Sequence, residues 1–203
     1  MGIKLITAPT LEPITSAQVK AQCSIDSDDT SLDTLVDIAI KAARAAAENR
    51  MRAYIMKRTV EQYLDAFPEA EIEIEVPPAW NKMTPIACPL SITSVGYTDA
   101  AGDDQTLDTD LFTLDEKAWP FWVLPAVDTE WPTPRDQANA VVIRYEVGYT
   151  LAADIPADVR AWLLLTAAFL VNNREAFDAT GKVSEIPNRW VDSLLDPYTV
   201  WKV

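Results

Sequence analysis

The chain of 203 residues has a mass of 22.5 kDa, a formal net charge of −14 and no histidine. Its length and its average share of apolar and charged residues indicate one folded domain, or a core with one insertion. They exclude a disordered chain and a second full domain. The absence of histidine excludes catalytic triads and metal sites that use this side chain.

The segment before the first helix carries one lysine and no long apolar run, so we expect no signal peptide and a reducing, cytosolic environment. The two cysteines, Cys23 and Cys88, do not form a CxxC pair, which excludes a zinc ribbon or a thioredoxin-type site. We expect both to be small buried apolar side chains, with a single disulfide as the alternative.

Two helices are predicted near the N-terminus. Thr15 and Gln18 have the spacing of a capping box, which predicts a short helix behind them. Asp28 or Asp29 is then expected to cap a longer helix that ends near Arg52. An apolar stripe at three- and four-residue spacing defines this helix: Leu32, Leu35, Val36, Ala39, Ala43, Ala46 and Ala47. Its alanines leave little bulk, so another helix can approach closely, from the same subunit or from a neighbour in a ring.

From Arg58 onward the apolar residues alternate with polar ones, which is typical of strands with one solvated face. We predict a small, mostly antiparallel β unit with strands near residues 59–67, 71–76, 91–98, 111–114, 122–124 and 140–147. In the strictly alternating stretch Glu71, Glu73 and Glu75 share one face. That face is either simply solvated or a cation site or acidic channel wall.

The C-terminal part of the chain is predicted to return to helix. Pro156 stands near the first position of a helix that is apolar on nearly all sides, so we expect the core to cover one side and a subunit interface another. Its apolar run, residues 161–171, is far shorter than the about 20 residues of a membrane span. Pro187 starts a last short helix, which Pro197 ends.

The negative charge is concentrated in the middle of the chain. Residues 58–155 hold 18 acidic and 5 basic residues, whereas the segments on either side are nearly neutral. This contrast indicates an α+β fold in which a helical core, 1–57 and 155–203, carries a solvated β insertion, 58–154. No lysine and arginine cluster is present to replace counterions on a phosphate backbone, which excludes tight binding to duplex DNA.

Motifs for enzymatic chemistry are missing. No glycine-rich phosphate loop occurs, and an EF-hand at Asp26 and Asp28 would need other residues at Ser31 and Asp37. Carboxylate pairs are unavoidable among so many acids and carry little information. The sequence therefore predicts no catalytic residue, no cofactor and no metal.

The order of short motifs along nearly the whole chain resembles the head-tail connector family of tailed phages, Gp6-like or Gp8-like. The motifs are Pro13-Ile14-Thr15, Val19-Lys20, Ile25-Asp26, Asp28-Asp29, the Ala-rich helix ending in Arg50, Leu64-Asp65-Ala66-Phe67, Pro89-Leu90, Ile92-Thr93-Ser94-Val95, Tyr97, Asp99, Trp131-Pro132, Asn139-Ala140-Val141, Tyr145, Gly148-Tyr149, Ile155-Pro156, Asn173-Arg174-Glu175, Leu194-Leu195 and Pro197-Tyr198. The acidic, Trp- and Pro-rich stretch 103–136 departs from the family, which leaves its β topology open.

The resemblance implies a single connector domain, 1–203, with a structural and non-enzymatic role in the virion, reached from the host cytoplasm. About a dozen copies would form a ring beneath the portal protein, extend the DNA channel and dock a stopper or tail-completion protein. DNA would pass without specific binding, and no membrane is involved.

Three sets of candidate residues follow. The first is a subunit interface on the two long helices, formed by Ala43, Ala46, Leu164, Ala168 and Val171. By analogy with connectors whose terminal segment reaches the portal, the second is a docking arm formed by Tyr198, Val200 and Trp201. The third is an acidic channel wall formed by Glu71, Glu73 and Glu75.

Two other functions stay open at this point. An acidic carbohydrate- or host-binding β module is the first alternative, because Trp119, Trp122 and Trp131 stand among prolines, where they either cover sheet edges or form a platform for sugars. A glycosidase with two carboxylates is the second.

Overall fold

The computed structural model describes residues 2–74, 90–117, 121–173 and 189–199. It divides the chain into two compact units, a β unit of residues 1–9 and 57–148 and a helical unit of residues 10–56 and 149–203. The fold class is α+β, which confirms the prediction. The sequence placed residues 1–9 in the helical core, and the structure places them in the β unit, where Gly2–Thr7 form a strand.

The larger sheet of the β unit is antiparallel. Its strands, in spatial order, are β1 (Gly2–Thr7), β2 (Arg58–Leu64), β8 (Val141–Val147), β4 (Leu90–Thr98) and β5 (Asp104–Thr106). The register aligns Lys4, Glu61, Arg144 and Ser94 in one row across four strands. Val60, Ile143 and Val95 point to the opposite face and are fully buried, so the sheet has one wet face and one core face.

A smaller sheet belongs to the same unit. It contains β3 (Ile72–Glu73), β7 (Trp122–Pro125) and β6 (Phe112–Asp115), again antiparallel. Phe121, directly before β7, is fully buried, and its carbonyl accepts a hydrogen bond from the backbone N–H of Ile74. The sequence predicted strands at all three places, but at 71–76 the described pairing covers two residues only.

The helical unit contains α1 (Ser16–Gln22), α2 (Asp33–Met51), α3 (Ala157–Asn172) and α4 (Arg189–Asp192). α1 begins with the capping box that the sequence predicts: the backbone N–H of Gln18 donates to the Thr15 hydroxyl and that of Thr15 to the Gln18 side chain. Val19 of α1, Val36 of α2 and Leu163 of α3 are fully buried. Apolar side chains from all three helices thus form the core of this unit.

The start of α2 differs from the prediction. Its N-cap is Leu32, without a side-chain cap, whereas Asp28 or Asp29 was expected in that role. Asp29 instead accepts a hydrogen bond from the backbone N–H of Ser31, which turns the chain before the helix. The buried Lys20 ammonium holds this turn by donating to the carbonyls of Ser27 and Asp29.

Candidate functional site

The predicted subunit interface is only partly accessible. Ala43, Ala168 and Val171 are buried within their own helical unit, whereas Ala46 is exposed and Leu164 is half-buried. The apolar stripe on α2 therefore serves the subunit core at Ala43. Three of the five residues are core residues, and two keep area that a second subunit could reach.

The outward side of α2 carries more apolar area than the sequence indicated. Ile38 lies just outside the predicted stripe and is 60% exposed, the largest exposure of a large apolar side chain in the described part of the helices. The other exposed residues along this helix are Thr34, Asp37, Lys41, Ala42, Ala45, Ala46, Asn49 and Arg50. The three alanines leave a shallow stretch of this surface, because their methyl groups project little from the helix.

The C-terminal segment folds onto the helical unit as far as Tyr198. The Tyr198 ring is 3% exposed, and its hydroxyl donates to the Asp158 carboxylate at 3.4 Å. The short 3-10 helix Asp196–Tyr198 turns this ring inward. Tyr198 is thus a core residue and not an accessible docking anchor, while Val200 and Trp201 lie outside the described residues.

A polar network ties α4 to the two long helices. The Asp192 carboxylate accepts hydrogen bonds from the Trp162 indole N–H at 3.2 Å and from Arg50 at 3.1 Å. Arg50 also contacts Asp196 at 3.4 Å. These bonds position the segment that precedes the C-terminal residues. The sequence did not predict this role for Arg50, Trp162 or Asp192.

The acidic strand alternates as predicted over its described part. Glu71 is exposed, Ile72 and Ile74 are buried, and Glu73 is half-buried. The Glu73 carbonyl accepts a hydrogen bond from the buried Gln62 side chain at 2.7 Å. Glu71 and Glu73 can thus contribute to an acidic surface, and Glu75 lies outside the described residues.

A charge cluster on the wet face of the larger sheet was not predicted. The Glu61 carboxylate accepts hydrogen bonds from the Tyr63 hydroxyl at 2.5 Å and from Arg144 Nε at 2.9 Å. Burial raises the pKa of this carboxyl, but the bonds from Tyr63 and Arg144 outweigh burial, and the pKa lies below its ordinary value. Glu61 is therefore a buried anion held by its partners. The alternation of Glu61 and Tyr63 in β2 was the only sequence signal.

An aromatic groove lies beside the smaller sheet. Trp131 stacks on Phe67 with ring centroids 4.9 Å apart, and its indole N–H donates to the Ala70 carbonyl at 3.2 Å. The groove has a volume of about 550 Å³, and its charged rim is formed by Asp65, Glu69, Glu130, Arg135 and Asp136. Phe67 thus covers one face of the Trp131 ring, and the indole N–H is already hydrogen-bonded. Trp122 is half-buried in β7, and Trp119 lies outside the described residues.

The remaining sequence expectations concern thiols, metals and membranes. Cys23 is a free, half-buried thiol whose pKa is raised by burial, and Cys88 lies outside the described residues. In the described ranges, no three carboxylate or thiol side chains converge on a point where they could hold a metal ion. None of the helices described is both long and apolar enough to span a bilayer.

The fold over the whole chain is similar to that of chains in solved structures of gene transfer agent particles. The chain is similar to a chain from the neck of an empty gene transfer agent particle computed with C6 symmetry, with a TM-score of 0.77 and 17% identity, over 100% of this chain and 97% of that one. A chain from the virion of the native gene transfer agent particle gives a TM-score of 0.75 at 18% identity, and one from the native neck computed with C12 symmetry gives 0.67 at 18%, with the same coverages. No family model and no curated protein matches the sequence.

Proposed function

We propose that this chain is a structural neck protein, a head-tail connector, of a tailed phage or a phage-like particle. The observation that carries the proposal is the fold similarity to neck chains, which covers the whole chain and 97% of the neighbour and therefore includes both units. The motif order along the sequence points to the same role independently. In this proposal the two units work as one connector domain, with no catalytic function.

We further propose that copies of the chain form a ring beneath the portal protein, extend the DNA channel and dock a stopper or tail-completion protein. A closed ring of more than two subunits requires each subunit to present two different surfaces to its neighbours. The exposed side of α2, with Ile38 and Ala46, and the half-buried Leu164 of α3 are suited to one such contact, since small side chains allow helices to approach closely.

We propose that the last residues dock on the portal, with Val200 and Trp201 as anchors. Tyr198 is not included, because its ring is buried within its own unit. The channel wall is assigned to Glu71, Glu73 and Glu75. An acidic wall repels the DNA phosphates over about 8 Å at physiological salt, so DNA can slide without adhering.

One experiment tests the central proposal. The purified chain is mixed with the portal protein of its own particle and imaged by electron microscopy, with portal alone as the control. We expect a ring of this chain added to one end of the portal. Portal particles without added density, under conditions that keep both proteins folded, would refute the connector role.

The aromatic groove supports a second candidate function, binding of a carbohydrate or host molecule by the β unit. Trp131 offers part of its ring for stacking, although Phe67 covers one face. A glycan array separates this candidate from the first. Binding that is lost in Trp131→Ala and kept in Trp122→Ala would favour it, and no binding to any glycan would remove it.

A further inference from the structure

The edge strand β1 is exposed on both of its faces. All six of its residues are exposed, and among them Ile3, Leu5 and Ile6 keep 37%, 48% and 39% of their surface open to water. On its inner side β1 pairs with β2, while no described strand pairs with its outer side. An exposed apolar edge offers free backbone N–H and C=O groups to another strand.

The opposite edge of the same sheet is β5, whose three residues are also exposed. No strand in the described ranges pairs with its outer side. Since successive neighbours in this sheet are antiparallel, β1 and β5, the first and fifth in spatial order, run in the same direction. A second copy in the same orientation can therefore place its β1 beside β5 as a parallel neighbour.

The two edges carry opposite charges. Lys4 lies in the row that contains Glu61, Arg144 and Ser94, on the wet face of the sheet. Thr98, four residues beyond Ser94 on β4, pairs with Asp104, which puts Asp104 on that face too. Asp103 precedes it, and no basic residue lies in β5. When the β1 strand of a second copy is shifted by four residues, from the row of Ser94 to the row of Thr98, its Lys4 ammonium meets the Asp104 carboxylate on one face.

We propose that neighbouring subunits of the ring join edge to edge, with β1 of one copy added to β5 of the next. This contact rests on the proposed function, because a head-to-tail contact closes only in a ring. It pairs the free backbone groups of both edges, and it shields Ile3 and Leu5 on the core face.

Disulfide crosslinking tests this register. Lys4→Cys and Asp104→Cys are made separately in a background with Cys23→Ser and Cys88→Ser, and the two variants are mixed, assembled on the portal and oxidised mildly. Cα atoms of paired strands lie within the about 4.4 to 6.8 Å that a disulfide bridges. Lys117→Cys replaces an exposed lysine of the β unit that belongs to neither β1 nor β5, and it serves as the matched control in place of either partner.

The proposal expects a covalent dimer from the Lys4→Cys and Asp104→Cys mixture, and none from either variant alone or with Lys117→Cys. Crosslinking of Lys4→Cys with itself would show a two-fold β1 to β1 contact and overturn the proposal. Rings that form without the mixed crosslink would also overturn it while leaving the connector role intact. Failure of the parent chain to form any ring would refute the connector role and this contact together.

Discussion

The helical unit and the β unit treat their apolar surface differently. In the helical unit the strongly exposed large apolar side chains of the described ranges, Leu11, Ile38 and Leu151, lie on separate segments, while Ala43 and the C-terminal segment up to Tyr198 fold inward. The β unit leaves Ile3 and Leu5 open on an unpaired edge. Ala43 and Tyr198, two members of the predicted contact sets, thus serve the core, and the β unit gathers exposed apolar side chains on one open strand edge.

The largest expected effect comes from placing a charge on each side of α2. Ala43→Asp puts an unpaired carboxylate into the core and should lower the free energy of unfolding by more than about 3 kcal/mol. Ala46→Asp, three residues on and exposed, should change it by less than about 1 kcal/mol and impair ring formation instead. Chemical denaturation and particle imaging measure the two effects. Equal destabilisation by both variants would contradict the inward and outward assignment.

The next largest effect concerns the C-terminal segment. Tyr198→Ala removes a buried ring and should cost about 3 kcal/mol of unfolding free energy. Tyr198→Phe keeps the ring, removes the hydroxyl that donates to Asp158 and should cost about 1 kcal/mol. Thermal unfolding of both variants, beside a portal-binding assay, separates stability from docking. If the Tyr198→Ala chain kept its melting temperature but no longer bound the portal, Tyr198 would belong to the docking surface and not to the core.

A pH titration sharpens the comparison within the β unit. Because Tyr63 and Arg144 hold the pKa of Glu61 below its ordinary value of 4.5, the folded state is stabilised by this carboxylate above that pH. The contribution is lost as the pH falls through the lowered value. Glu61→Gln should therefore reduce stability by about 1 kcal/mol at neutral pH and flatten the acid limb of the stability curve. An acid limb identical to that of the parent chain would exclude Glu61 as its source.

The smallest effect is expected within α3. The buried hydroxyl of Thr166 has no hydrogen-bond partner among the described residues. Thr166→Val keeps the shape and removes the unsatisfied group, so the unfolding free energy should stay equal or rise by up to about 1 kcal/mol. Thr166→Ala is the control, since it also leaves a void. A clear loss of stability in the valine variant would show that the hydroxyl is bonded in solution.

Local patterns predicted much of the fold because each depends on neighbours in sequence. The capping box at Thr15 and Gln18, the alternation around Ile72 and the Pro156 start of α3 all appear in the structure. The start of α2 was missed because Asp29 bonds Ser31 in a turn and does not cap the helix. Strand β1 was not predicted, although Ile3, Lys4 and Leu5 alternate between apolar and polar. So short an alternation does not predict a strand by itself, and the partner strand β2 lies more than fifty residues later in the chain.

The candidate site was predicted less well, because accessibility is a property of the folded chain. Periodicity identified Ala43 and Ala46 as members of one stripe, but a difference of three residues turns one inward and the other outward. Tyr198 was predicted to belong to a docking arm because its hydrogen-bond partner Asp158 lies forty positions earlier in the chain, where no local pattern connects the two. Ile38 was overlooked because it lies outside the stripe, where an isolated isoleucine carries no periodic signal.

In the helical unit, the residues just before and just after the 57–148 segment contact each other through their backbones. The N–H of Tyr149 donates to the Ile55 carbonyl at 2.8 Å, and Met56 and Tyr149 form a parallel bridge. The entry and exit of the long insertion are therefore neighbours within one unit. Residues 1–9 belong to the β unit as well and lose their partner strand when 57–148 is removed, so a minimal helical module would begin at Thr10 and join Met56 to Tyr149.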